Sequence, residues 1–131
     1  MAYVVVKKAT LLMPSGPDPD GHHLHIITTA PCDQNQVLLT TLCSVKEGRV
    51  HDKACLVEAG EHEFAKKLSF IEYRLSSLLH CDKIAKFVDG WYFTPKTEVS
   101  DELFERIRAG ILTSDFTPRF IQTYFGKNAH L

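Results

Sequence analysis

The sequence predicts a mainly β domain of the α+β class, a small antiparallel barrel or rolled sheet with helices at its C-terminal end. Three observations carry that expectation. Short β-branched and apolar runs recur through the front half, clusters of Pro, Gly and polar residues separate them, and capped amphipathic segments appear only near the end of the chain. At 131 residues the chain fits a single domain, 1–131, long enough to bury a core without disulfides.

The elements follow in order. Residues 9–13 (ATLLM) form an apolar run suited to a strand, with an extension back through residues 3–8. Residues 14–21 (PSGPDPDG) hold three prolines and two glycines, which excludes a helix or a central strand and predicts an exposed loop. Residues 23–29 (HLHIITT) and 37–45 (VLLTTLCSV) read as strands, and KEGR at 46–49 as a tight turn. Residues 54–57 (ACLV) read as a short strand. In residues 70–75 (FIEYRL), Phe70, Glu72 and Arg74 alternate with Ile71, Tyr73 and Leu75, as on a strand with two faces. Residues 82–89 fit helix or strand equally, and 90–93 (GWYF) suggest a turn into a last extended piece.

The helical end is better marked. Ser100 is placed to cap a helix whose first turn holds Asp101 and Glu102, favourable at the positive end of the helix dipole. Leu103, Phe104, Ile107, Ile111 and Leu112 continue it as an apolar stripe. Thr117 and Pro118 open a second helix and Gly126 is expected to stop it. Phe120, Ile121, Tyr124 and Phe125 give that helix a face to dock on the sheet.

Charge and cysteines narrow the class. Fifteen Lys and Arg against sixteen Asp and Glu leave a formal charge of −1, which argues against a protein that coats nucleic acid through its phosphates. No double-stranded DNA partner is expected. The four cysteines show no CxxC spacing, and no secretory signal precedes them, so reduced thiols in a cytoplasmic protein are expected. No apolar stretch approaches the ~20 residues of a membrane span, so no membrane partner is expected.

The polar chemistry concentrates at residues 51–64, HDKACLVEAGEHEF. A metal is not expected: HEFAK at 62–66 lacks the second histidine of a zinc helix, and His51 and Cys55 on an extended segment would stand roughly 13 Å apart. No cofactor is expected either. Cys55 beside His51 or His62 has the residue types of a thiolate pair, yet its neighbours Ala54, Leu56 and Val57 favour a core cysteine. Metal-free cleavage of RNA remains. There a ribose 2′-hydroxyl attacks its own phosphate while one group takes its proton, a second protonates the leaving oxygen and a cation steadies the oxyanion. His51 and His62 supply acid and base, Arg74 the cation, and Ser69 and Tyr73 possible helpers. The plain alternative makes both histidines solvated loop residues and Arg74 a surface cation.

The strand followed by a Pro/Gly loop, the runs HLHIITT, VLLTTLCSV and LSFIEYRLSSLL, and the closing EVSDELFERIRAGIL together resemble the PemK/MazF-like toxins of toxin–antitoxin systems, over about Ala9 to Phe125. The resemblance implies an SH3-like barrel with a C-terminal helix, usually dimeric, that cuts single-stranded RNA without a metal and is bound by an antitoxin. On that reading His51, His62 and Arg74 are catalytic, and His23, Ser69 and Tyr73 line the substrate site beside loop 14–21. Two departures stand out. The family's Gly-Asp-Ile/Val opening is absent, and His22-His23 occupies the place of its Arg-Pro pair, whose arginine is commonly catalytic. Either the histidines have taken over that task, or the domain binds without cutting, as an interaction module that uses Trp91, Tyr92 and Phe93.

Overall fold

The computed structural model describes residues 2–15 and 21–131. Among the described residues seven strands form one antiparallel sheet: β1 (Thr10–Pro14), β2 (His22–Ile27), β3 (Gln36–Ser44), β4 (Leu56–Val57), β5 (Ser69–Ile71), β6 (Ser77–His80) and β7 (Thr94–Lys96). The helices α1 (Cys81–Asp89), α2 (Asp101–Thr113) and α3 (Arg119–Asn128) accompany it. Hydrogen bonding runs in the order β4-β5-β3-β2-β1-β7, and β6 pairs with β3. Among the described residues no pairing joins β4 to β7, so the sheet is open and not a closed barrel.

β3 is the spine. Leu39 and Leu42 pair with Ile27 and Leu24 of β2, while Leu42–Ser44 pairs with β5 and Gln36–Leu39 with β6 along the other edge. Both faces of β3 are covered, which is why it reads as a continuous apolar run. Leu38 and Leu42 join Leu24, Ile26 and Ile71 under Ile107, Ile111 and Ile121 of the two C-terminal helices. Val37 and Leu39 join Leu11, Met13 and Ile27 on the opposite face, against Ile84 of α1 and Phe93. Each such side chain contributes about 1.5–3 kcal/mol by burial.

The helix signals act as expected at the start of α2, where Ser100 Oγ accepts from Leu103 N–H at 3.1 Å. The undecided segment 82–89 is a helix, capped by His80, whose Nδ1 accepts from Asp82 N–H at 3.2 Å. Arg108 lies over Phe104 at 5.5 Å and Phe125 at 5.0 Å, joining α2 to α3.

Several details differ from expectation. The strand expected over 54–57 is only Leu56–Val57. The strand expected over 70–75 ends at Ile71; Tyr73–Leu75 is a 3-10 turn, and β6, missed in the sequence, follows it. The cause is Tyr73, fully buried, whose hydroxyl donates to Ile107 O at 2.7 Å and draws the chain towards α2. α3 runs through Gly126 to Asn128 instead of stopping there, because a helical glycine permits a stop without compelling one. Phe120, expected on the docking face of α3, is 58% exposed.

Candidate functional site

A cleft of about 650 Å³ opens where β2, β3 and β5 meet the loop that leads from β3 to β4. His23 comes from β2, Arg49 and His51 from the loop, and Glu72 and Arg74 from the turn after β5. The KEGR turn is formed as expected, with Arg49 N–H donating to Lys46 O at 3.2 Å and Gly48 at φ 76°. It brings Lys46 and Arg49 to the same cleft. Lys46, Arg49 and Arg74 therefore face one carboxylate, Glu72, among the described lining residues, although the whole chain carries a charge of −1. An anion is the ligand that this local balance suits.

His51 is half-buried and its ring packs on Phe70, with centroids 5.3 Å apart. Its Nδ1 is buried and meets no hydrogen-bond partner among the described residues. Arg74 stands 4.0 Å from Glu72, and its side chain is 69% exposed against 18% for the carboxylate. The guanidinium is thus presented to solvent while the carboxylate is held close to the wall. Cys43 also lines the cleft, where burial and the Glu72 charge push its thiol up to about 11. It is a neutral thiol at physiological pH. His23 shares a 2.5 Å hydrogen bond with Ser15 through Nδ1.

The structure thus brings His23, His51 and Arg74 together, and it does not bring the other three expected site residues with them. His62 is buried: Nδ1 accepts from Phe64 N–H at 3.1 Å and Nε2 lies 2.6 Å from Thr97 O. Accepting at Nδ1 makes Nε2 the protonated nitrogen, so both are engaged in holding residues 62–64 against residue 97. Ser69 is buried and donates to Lys67 O at 2.9 Å. Tyr73 is committed to Ile107. These three belong to the scaffold, a correction to the site read from the sequence. Cys55 is buried as expected, and burial raises its thiol. Of the loop 14–21, expected to flank the cleft, residues 16–20 lie outside the described residues.

Asp52, Glu61 and Glu63 of the polar run are also engaged. Glu61 meets Arg106 of α2 at 2.5 Å, and Arg106 donates to Leu56 O at 2.6 Å. Glu63 accepts from Thr97 Oγ1 at 2.8 Å. Asp52 accepts from Ala54 N–H at 2.9 Å and from Ser114 Oγ at 2.5 Å. Glu61, His62 and Glu63 clamp the chain to α2 and to the segment before it. His51 is left facing the cleft.

Sequence reasoning missed Glu72, Lys46 and Arg49. The alternation of Phe70, Glu72 and Arg74 did place Glu72 beside Arg74. No local signal brings Lys46 and Arg49 to the cleft that Phe70 and Glu72 also line, because that meeting depends on the pairing of β3 with β5.

Fold and site together define an α+β domain with an open antiparallel sheet and a basic, histidine-bearing cleft. No family model matches the chain, and no curated protein matches it.

Proposed function

We propose that this protein is a metal-independent endoribonuclease of the PemK/MazF-like toxin kind, acting on single-stranded RNA in the cytoplasm. The observation that carries the reading is the meeting of His51, Glu72 and Arg74 in one cleft with Arg49 and Lys46. In the proposed reaction the Glu72 carboxylate takes the proton of the ribose 2′-hydroxyl. The 2′-oxygen forms a bond to phosphorus, the bond to the 5′-oxygen breaks, and protonated His51 gives that oxygen its proton. Arg74 neutralises the non-bridging oxygens, helped by Arg49, and His23 lines the substrate path. The product is a 2′,3′-cyclic phosphate. On this reading the open sheet is the SH3-like barrel of the family, with β5, the 3-10 turn and β6 wrapping one edge of β3. A second copy of the chain and an antitoxin protein are the proposed partners.

The test is incubation of the pure protein with end-labelled single-stranded RNA in EDTA. Cleavage is expected, slowed about 10²–10⁴-fold by His51→Ala and 10²–10³-fold by Arg74→Ala, the usual range for losing an acid–base group or an oxyanion contact. No cleavage, or cleavage undiminished when His51→Ala and Arg74→Ala are combined, overturns the assignment.

A second reading has its own observation: Trp91 is 90% exposed and Tyr92 55%, while Phe93 is buried in the core. Two exposed aromatics on the turn after α1 suit a non-catalytic interaction module. That reading gains if the protein is inert towards RNA yet holds a partner that Trp91→Ala releases.

A further inference from the structure

Past His51 and Arg74 the cleft continues into a recess of about 190 Å³, lined by Val50, His51, Asp52, Glu72, Arg74 and Phe116. Phe116 is 56% exposed and belongs to neither core cluster. Its backbone is nevertheless fixed. The Phe116 N–H donates to Ser114 Oγ at 3.1 Å, and the Ser114 hydroxyl donates to Asp52 at 2.5 Å. Asp52 and Ser114 are each 5% exposed, so the bond between them is shielded from water. Asp52 directly follows His51. One buried hydrogen bond therefore holds the imidazole's loop and the aromatic ring in a common frame, although the ring gains little burial where it sits. Arg74 lines the same recess and can hold a phosphate beside it.

We propose that Phe116 is the stacking platform for the nucleobase adjoining the phosphate held by Arg74, which makes this recess a base subsite for single-stranded RNA. The proposal rests on the ribonuclease reading and deepens it. Stacking on an aromatic face accepts any base, so the subsite strengthens binding without selecting sequence. Asp52 and Ser114 are positioning residues for both groups.

The experiment compares two fluorescent probes by anisotropy. One is a single-stranded 2′-fluoro RNA oligomer, which cannot form a cyclic phosphate; the other is an abasic oligomer with the same number of phosphates. Phe116→Ala is expected to weaken the first about 5- to 150-fold, the usual range for removing one base stack. The abasic oligomer should bind wild type and variant alike, and Phe116→Trp should keep the affinity for the base-bearing oligomer. Unchanged affinity in Phe116→Ala, or equal losses on both probes, overturns the subsite. If both probes bind in an Arg74-dependent way and Phe116→Ala alters neither, the subsite alone fails. If the wild type binds neither probe and cleaves no RNA, the ribonuclease reading fails and takes the subsite with it.

Discussion

Two glycines sit inside helices, and the same substitution should act on them with opposite sign. A Cβ at Gly110 of α2 would stand 1.9 Å from the Tyr73 hydroxyl oxygen and 2.5 Å from the ring carbon that bears it, whereas one at Gly126 of α3 meets nothing within 4 Å. Alanine in place of glycine gains up to about 1 kcal/mol in a helix. At Gly126 that gain stands nearly alone, reduced because the site lies close to the helix end, so Gly126→Ala should stabilise by about 0.5–1 kcal/mol. At Gly110 the methyl must displace a fully buried ring. Overpacking costs about 1–3 kcal/mol and the lost Tyr73–Ile107 hydrogen bond about 1 more, so Gly110→Ala should destabilise by about 1–3 kcal/mol after the helix gain. Urea unfolding measures both. Tyr73→Phe should cost about 1 kcal/mol in the wild type and less in the Gly110→Ala background, where that hydrogen bond is already broken. A neutral or stabilising Gly110→Ala would falsify the close approach, and with it the account of why β5 ends at Ile71.

Two further predictions follow from the histidines. His62→Ala should lower stability by about 1–3 kcal/mol, since it removes two part-buried hydrogen bonds. Chemical denaturation checks this, and loss of RNA cleavage at unchanged stability would return His62 to the active site. His25 is buried with Nε2 unpartnered among the described residues and Nδ1 3.3 Å from Thr41 Oγ1. Burial first, and then the neighbouring His23, lower it from 6.5 to about 4. The unfolded chain therefore binds this proton more readily, so the contribution is complete above pH 6.5 and is lost as pH falls towards 4. About 2–3 kcal/mol is at stake, from roughly 1.4 kcal/mol per unit less some relaxation. Unfolding followed from pH 7 to 4.5 should show a shallower decline in His25→Gln than in the wild type; parallel declines would count against it.

What was legible in the sequence were the features whose cause is local. β2 and β3 declare themselves through β-branched and apolar residues that need no distant partner to prefer extension. Ser100 caps α2 because its hydroxyl meets an N–H three residues on. The 3-10 turn at Tyr73–Leu75 was not legible, since the alternation of FIEYRL is that of a strand and the bend comes from Ile107 and Gly110, more than thirty residues away. His62 shows the same limit within the site. Its residue type and its place after Gly60 suit acid–base chemistry, but the Thr97 carbonyl that occupies it arrives from another part of the chain. His51 could be named as a loop residue and Arg74 as the cation on the Glu72 side of the alternating FIEYRL run, although nothing local distinguished them from His62.

The candidate site is tied to α2 as well as to the sheet on which it sits. Tyr73, next to Glu72 and Arg74, donates to Ile107 O; Asp52, next to His51, accepts from Ser114 at the end of α2; and Glu61 pairs with Arg106 on the same helix. In each case the anchor is buried or part-buried, and the group it steadies lies one or two residues away or closes the same loop. This arrangement resolves a conflict within HDKACLVEAGEHEF. A loop free enough to carry its polar residues into a cleft would lose geometric precision to chain entropy. Spending most of those polar side chains as anchors restores the precision and leaves few groups for chemistry. On this account the abundance of polar residues in the stretch is a requirement of its structure, and His51 Nδ1 is buried with no anchoring bond among the described residues. Loosening α2 should accordingly misplace His51, Glu72 and Arg74 together, because a neighbour of each is bonded to that helix or to its C-cap.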